Sequence, residues 1–392
     1  MGRLEYRFAS VFLRLVGLLA AFLPVHLDRV VLATARVTTL DGNLLHIHRA
    51  LTARHPELDV VLLLEPYSYG LRGKLAYLVR VVRGMYHLQT ARLFVVDNAY
   101  LPIHVAPHRR TTTVVQVWHA AGALKRFGVD TTTPLAEPER TFLHRYYDAV
   151  VVGGEWVRRP YAAALRTPID KVIALGSPRT DPFVDEATMA AARAVVLAAN
   201  PILAGRRVVL YAPTFRGRGI AKRAALGLDG ARLRAALPPE FVLVIKTHPN
   251  LDPTTTPTDG FDLVSDPTAD VNDLLPAADI LITDYSSSVI EFALLRRPIV
   301  LLVPDLAEYE KDPGLYLDYR TEMIGTQVLD TDGVVSAILG DRFDLSSYDA
   351  FIERQLGTGL GHASDRFVDH FIDRLPAVSG RGDTVPRDVR HE

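Results

Sequence analysis

Short runs built almost wholly of Val, Ile and Leu recur along the chain, separated by stretches whose apolar residues repeat at helical spacing. Runs suited to strands lie at 30–33, 60–64, 93–96, 114–118, 149–153 and 172–175, and again at 207–212, 241–246, 262–264, 280–283 and 299–302. A strand that is apolar on both faces must be covered on both, which is the pattern of a parallel sheet between helices. The two groups of runs part after an Ala/Val-rich helix at 189–200, where Pro201 and then Gly205, Arg206 and Arg207 follow. A chain of 392 residues exceeds what one core organises. The expectation is therefore an α/β fold of two Rossmann-like parallel-sheet domains, 28–200 and 201–350, facing a central cleft. A last helical stretch, 348–375, with its segment 351–378, is expected to pack back on the first domain. The Gly-, Arg- and Asp-rich tail 379–392 is expected to be disordered.

Residues 1–27 need a separate reading, because 8–23 is predominantly apolar with Arg14 inside it and Arg3 and Arg7 before it. The run is shorter than the roughly 20 apolar residues a spanning helix needs, and no small-x-small cleavage pattern follows it. Two readings stand. Either it forms an amphipathic helix on a membrane surface with Arg3, Arg7 and Arg14 near lipid phosphates, or it packs on the protein as a buried helix. A formal charge of -1 provides no field for coating nucleic acid. With no cysteine, disulfides, thiolate catalysis and Cys-ligated zinc are excluded, and nothing places the protein outside the cytoplasm.

In open parallel sheets ligands bind beyond the carboxyl ends of the strands, so the chemistry is sought in the loops there. His119 follows the strand 114–118 among small residues, free to accept a proton, with Lys125 and Arg126 close behind to face anionic groups. After 207–212, Thr214 and Arg216 offer a hydroxyl and a forked cation suited to phosphate. After 241–246, Pro249 fixes the chain so that His248 can be aimed into the cleft, and Lys246 shares its face. No third ligand accompanies either histidine at metal spacing, so no metal is assigned; phosphoryl transfer, with one histidine as base and the other donating to phosphate, suits the pair better. After 280–283, Ser286, Ser287 and Ser288 open a helix whose first amides and hydroxyls can hold phosphate, and Glu291 in its first turn can take a ribose hydroxyl. A plain N-cap with a capping-box glutamate explains one serine and Glu291, but not the other serines or Asp284.

The series WHAAGALKRFG (118–128), GSPRTD (176–181), LYAPTFR (210–216), KTHPN (246–250) and DVNDLLPAADILITDYSSSVIEFALLRRPIVLLVPD (270–305) resembles the CDP-glycerol glycerophosphotransferase family that builds teichoic acids. Asp41-Gly42-Asn43 before a helix is similar to that family's N-terminal half. The resemblance covers roughly 30–320 and implies a GT-B fold, with an acceptor hydroxyl attacking the β-phosphate of a CDP-polyol to release CMP. It implies His119 as base and His248 as stabiliser of the transferred phosphate. Ser286, Ser287, Ser288, Thr214, Arg216 and Lys246 would hold the pyrophosphate, and Glu291 the ribose. No bound cofactor is implied. The partners would be a CDP-polyol donor, a lipid-linked or glycan acceptor and the cytoplasmic face of the membrane, with no nucleic acid. Glycerol or ribitol, one unit or many, and the oligomeric state are left open. The rival readings are a GT-B sugar transferase using a nucleotide sugar, a two-lobed solute-binding protein, and a catalytically silent membrane scaffold.

Overall fold

The computed structural model describes residues 3–64, 71–132, 144–216, 223–224, 227–246, 258–266 and 268–374. All the apolar runs form strands. The first sheet contains β1 (His26–Thr34), β2 (Asp59–Leu64), β3 (Ala91–Val96), β4 (Thr113–Gln116), β5 (Ala149–Val152) and β6 (Val172–Ala174), parallel throughout in the order β2-β1-β3-β4-β5-β6. The chain then enters β7 (Arg207–Tyr211), forms the small hairpin β8 (Phe215–Arg216) and β9 (Arg223–Ala224), and continues through β10 (Phe241–Ile245), β11 (Leu263–Val264), β12 (Ile280–Thr283), β13 (Ile299–Leu302) and β14 (Thr326–Val328). Apart from the hairpin, these strands make a second parallel sheet in the order β11-β10-β7-β12-β13-β14. Thr326–Val328 escapes a search for apolar runs because it is a half-buried edge strand carrying Thr and Gln.

Each sheet reverses its winding once, between β1 and β3 in the first and between β7 and β12 in the second. Loops leaving the strands on either side of such a reversal part in opposite directions and open a crevice. Helices cover both faces of each sheet. On one face of the first, Val30, Leu32, Val95 and Val115 pack with Leu44, Ile47 and Leu51 of the helix Gly42–Arg54.

The C-terminal region closes that face. A single helix over 348–375 does not form. Tyr348–Leu356 ends at Gly357, and Gly357, Gly359 and Gly361 all take positive φ (76°, 71° and 84°), a conformation only glycine adopts without strain, before the chain resumes as Ala363–Val368 and a π turn Asp369–Asp373. Phe367, Val368, Phe371 and Ile372 then enter the core of the first sheet, whereas Phe351 and Ile352 pack with the second domain. The tail 379–392 and the end of the 351–378 segment lie outside the described residues.

Helix α1 (Arg3–Ala20) has two different faces. Ser10, Leu13, Gly17 and Ala20 are buried at helical spacing, and Gly17 lets the helix approach Met85 so closely that a Cβ there would sit 3.0 Å from its sulfur. The opposite face leaves Phe8, Leu15, Leu18 and Leu19 exposed, and Phe22 in the turn after it is exposed too. Arg14 is exposed, and its Nε donates to the Val105 carbonyl at 2.8 Å, tying the helix to the first domain. Among the described residues, no helix is long and apolar enough to cross a membrane.

Candidate active site

The two crevices face each other across one cavity of about 300 Å3. Arg36 and Asp41 reach it after β1, His119 after β4 and Arg179 after β6; Thr214, Lys246, Ser286, Ser287, Ser288 and Glu291 line it from the second domain. It thus gathers seven of the side chains that the sequence singled out.

The histidine loop is held peptide by peptide. Trp118 sits at φ 51°, an unusual conformation for a bulky residue. Its N–H donates to Gln116 Oε1 at 2.8 Å, while Asn43 Nδ2 donates to the Val117 and Trp118 carbonyls at 2.9 and 3.0 Å, and Arg179 Nη1 donates to the His119 carbonyl at 2.6 Å. The His119 ring stacks on Trp118 and lies with Nδ1 3.2 Å from the Asp97 carbonyl oxygen. A carbonyl can only accept, so Nδ1 carries the proton and Nε2 remains a proton acceptor on a ring that lines the cavity. Burial, then the charge of Arg36, pushes the imidazole pKa down to about 3.

The facing wall is built for anions and hydroxyls. Thr214 is fixed by Asp284, whose carboxylate accepts from its N–H and its hydroxyl, each at 2.9 Å. Burial lowers the Lys246 pKa, while Asp270 and Asp266 oppose that shift. The Ser288 hydroxyl donates to that of Ser286 at 2.9 Å. Glu291 is fully buried. Its Oε1 pairs with Arg179 Nε at 2.9 Å, while Oε2 is buried without a geometric hydrogen-bond partner, with Asn272 close enough to favour the charged form. Burial raises the Glu291 pKa, and the guanidinium works against that rise.

Three of the expected residues are placed elsewhere. Arg216 does not line the cavity. Its Nε and Nη1 are taken by Asp305 (2.6 Å) and Asp284 (2.9 Å), because two strand-end carboxylates lie within its reach and satisfy the fork. Lys125 is enclosed behind the histidine loop, where its backbone bridges to Leu315 and its charge is felt by Asp284. Arg126 points into a separate cavity of about 820 Å3 with Trp156, Arg159 and Tyr316, pairing with Asp130 at 3.2 Å. His248 lies outside the described residues. Among the described residues no group of three or more His, Asp or Glu gathers as a metal site.

Sequence reasoning gave no role to Arg36, Asp97 or Arg179. Arg179 was visible within GSPRTD directly after a strand, but nothing local reveals that it crosses to the other domain.

The chain matches a family model described as CDP-Glycerol:Poly(glycerophosphate) glycerophosphotransferase over residues 16–372. It is 33% identical over 361 residues to the teichoic acid ribitol-phosphate primase of Bacillus spizizenii, covering 90% of this chain and 92% of that protein. It is 32% identical over 356 residues to the teichoic acid poly(ribitol-phosphate) polymerase of the same organism, covering 89% of this chain and 57% of that one. The solved structure of the wall teichoic acid polymerase TagF superposes with a TM-score of 0.72 at 18% identity, covering 94% of this chain and 96% of that chain. This likeness shows the fold, which is GT-B.

Proposed function

The chain belongs to the CDP-glycerol:poly(glycerophosphate) glycerophosphotransferase family and is a transferase of teichoic-acid-type synthesis, and from that premise we propose that it moves glycerol phosphate or ribitol phosphate from a CDP-polyol to a hydroxyl of a lipid-linked or glycan acceptor. The observation that carries this reading is the placing of a neutral imidazole, with Nε2 as acceptor, opposite three serines, Thr214, Lys246 and Glu291 in one cavity.

The acceptor oxygen bonds to the donor's β-phosphorus, and the bond from that phosphorus to the oxygen bridging the two phosphates breaks, its electron pair leaving with CMP. His119 Nε2 takes the hydroxyl proton. Ser286, Ser287, Ser288, Thr214 and Lys246 hold the pyrophosphate, and Glu291, which lines the same cavity, takes a ribose hydroxyl. Arg216 acts one layer behind by fixing Thr214 and Asp284. His248 completes the set as the donor that stabilises the transferred phosphate. Calorimetric titration of the purified protein with CDP-glycerol, CDP-ribitol, UDP-glucose and CMP tests the reading. Binding of a CDP-polyol and of CMP, with weak or no binding of UDP-glucose, is expected and names the donor. A response to UDP-glucose alone would replace it with sugar transfer.

The uncovered face of α1 supports a peripheral place on the cytoplasmic face of the membrane. Phe8 (76% exposed) and Leu19 (71%) project from it, Phe22 (84%) projects from the turn that follows, and Leu75 and Val79 of the helix Leu71–Thr90, on which α1 packs, are exposed as well. A helix of this kind buries its apolar side at the headgroup boundary. Replacing Phe8, Leu15 and Leu19 together by serine leaves the inward stripe intact and should release the protein from liposomes in a flotation assay. Unchanged flotation would remove the membrane from the account.

A further inference from the structure

The reversal points of the two sheets are not equivalent. That of the second sheet, between β7 and β12, carries the hydroxyls assigned to the donor, and Lys246 follows the neighbouring β10. The first sheet has its own reversal, between β1 and β3, and the loops leaving those strands carry Arg36, Asp41 and Asp97. Such a crevice is where an open α/β sheet places a ligand, and the residues assigned to the donor come from the other domain.

Arg36 and the base share a support. The Arg36 Nη1 lies 3.5 Å from Asp97 Oδ2, and the His119 Nδ1 lies 3.2 Å from the carbonyl oxygen of the same Asp97. The guanidinium and the imidazole therefore stand side by side on the first-domain wall. A charge-assisted bond is normally 2.7–2.9 Å, so the contact to Asp97 is long, and the Arg36 side chain keeps 31% exposure in the cavity. Burial pushes the Asp97 carboxyl up to about 6, so it gives up its charge as the pH falls below that value. Asp41 lines the same wall with its own pKa raised by burial, an acceptor suited to polyol hydroxyls.

Resting on the function proposed above, we propose that Arg36 anchors a phosphodiester carried by the acceptor next to the attacking hydroxyl, so that the enzyme selects acceptors already ending in a polyol phosphate over uncharged ones. A forked cation beside the base is positioned to fix the phosphate one polyol unit behind the nucleophile, and with it the hydroxyl at His119.

The test uses the full chain, CDP-glycerol or CDP-ribitol as donor, and two soluble acceptors, a short alkyl glycerophosphoglycerol and the matched alkyl glycerol without phosphate. The wild type should prefer the phosphodiester by about 10- to 100-fold in kcat/KM, the size expected of a charge-assisted contact. Arg36→Gln should lose most of that preference, mainly through the acceptor KM, with the donor KM changed less than about threefold; Arg36→Lys should fall between. Thermal melting checks that the variants fold. A wild type without preference, or an Arg36→Gln variant losing both acceptors equally, would overturn the inference while leaving the transferase reading intact. Absence of transfer to either acceptor, with no CMP binding, would overturn both.

Discussion

His119→Asn should lower the transfer rate by about a hundred- to ten-thousandfold, the usual share of a positioned general base, while CDP-polyol and CMP bind with affinities within about threefold of the wild type. The asparagine amide can still donate to the Asp97 carbonyl in place of Nδ1, so the loop keeps its support and only the proton acceptor is lost. The pH dependence follows from the same geometry. The imidazole is depressed to about 3, by burial and then by Arg36, so it is neutral, and competent as a base, throughout the mildly acidic range. kcat/KM reports the free enzyme and should not fall on account of His119 between pH 8 and 5. An imidazole so depressed is also a weak base. The negative charge of the bound diphosphate raises its pKa when the donor arrives, so the base strengthens only in the loaded cavity. Steady-state kinetics of the variant and the pH profile of the wild type check both points. Near-normal turnover by His119→Asn would remove His119 from the mechanism.

The fold was legible because burial on both faces leaves a local mark. Runs such as 93–96 and 241–245 are apolar at every position, and both become fully buried central strands. Thr326–Val328, half-buried at an edge, lacks that mark. The C-terminal helix was misread as one because the break depends on the backbone angles of Gly357, Gly359 and Gly361, which helical periodicity on either side conceals. The site divides in a similar way. His119, Thr214 and the serines sit directly after strands, where topology alone aims them at the cleft. The direction of Arg216 is decided by Asp284 and Asp305, which lie 68 and 89 residues away in the chain. Arg126 is drawn aside to Asp130 and the Tyr316 ring. For a long cation, the partner settles the direction, and the partner is a tertiary fact.

Arg179→Met should be the most destabilising single change in the site, costing about 3–5 kcal/mol, because it leaves the Glu291 carboxylate buried without its counter-charge. Burial alone would lower the Arg179 pKa, but Glu291, Asp270 and the neighbouring acids outweigh it and raise it, so the guanidinium stays charged where it is enclosed. Its contacts join three parts of the machine. Nη1 donates to the His119 carbonyl at 2.6 Å, Nε pairs with Glu291 at 2.9 Å across the domain boundary, and Nη2 lies 3.7 Å from Asp270. Gly42, at φ 49°, makes room: a Cβ there would stand 3.4 Å from Nη1. The stabilising and the catalytic roles of Arg179 separate in a double variant. Arg179→Met with Glu291→Leu replaces the ion pair by apolar groups of similar size and should recover stability to within about 1–2 kcal/mol of the wild type. Transfer activity should stay lost, because the carboxylate proposed to take the ribose and the tie to the His119 peptide are both gone. Arg179→Lys keeps the charge but cannot make the three contacts at once, and should retain most of the stability with little of the rate. Denaturant unfolding of the four proteins, alongside their turnover, decides the matter. An Arg179→Met variant as stable as the wild type would mean that the buried carboxylate is protonated or hydrated, and that the guanidinium is not what holds the two domains closed over the base.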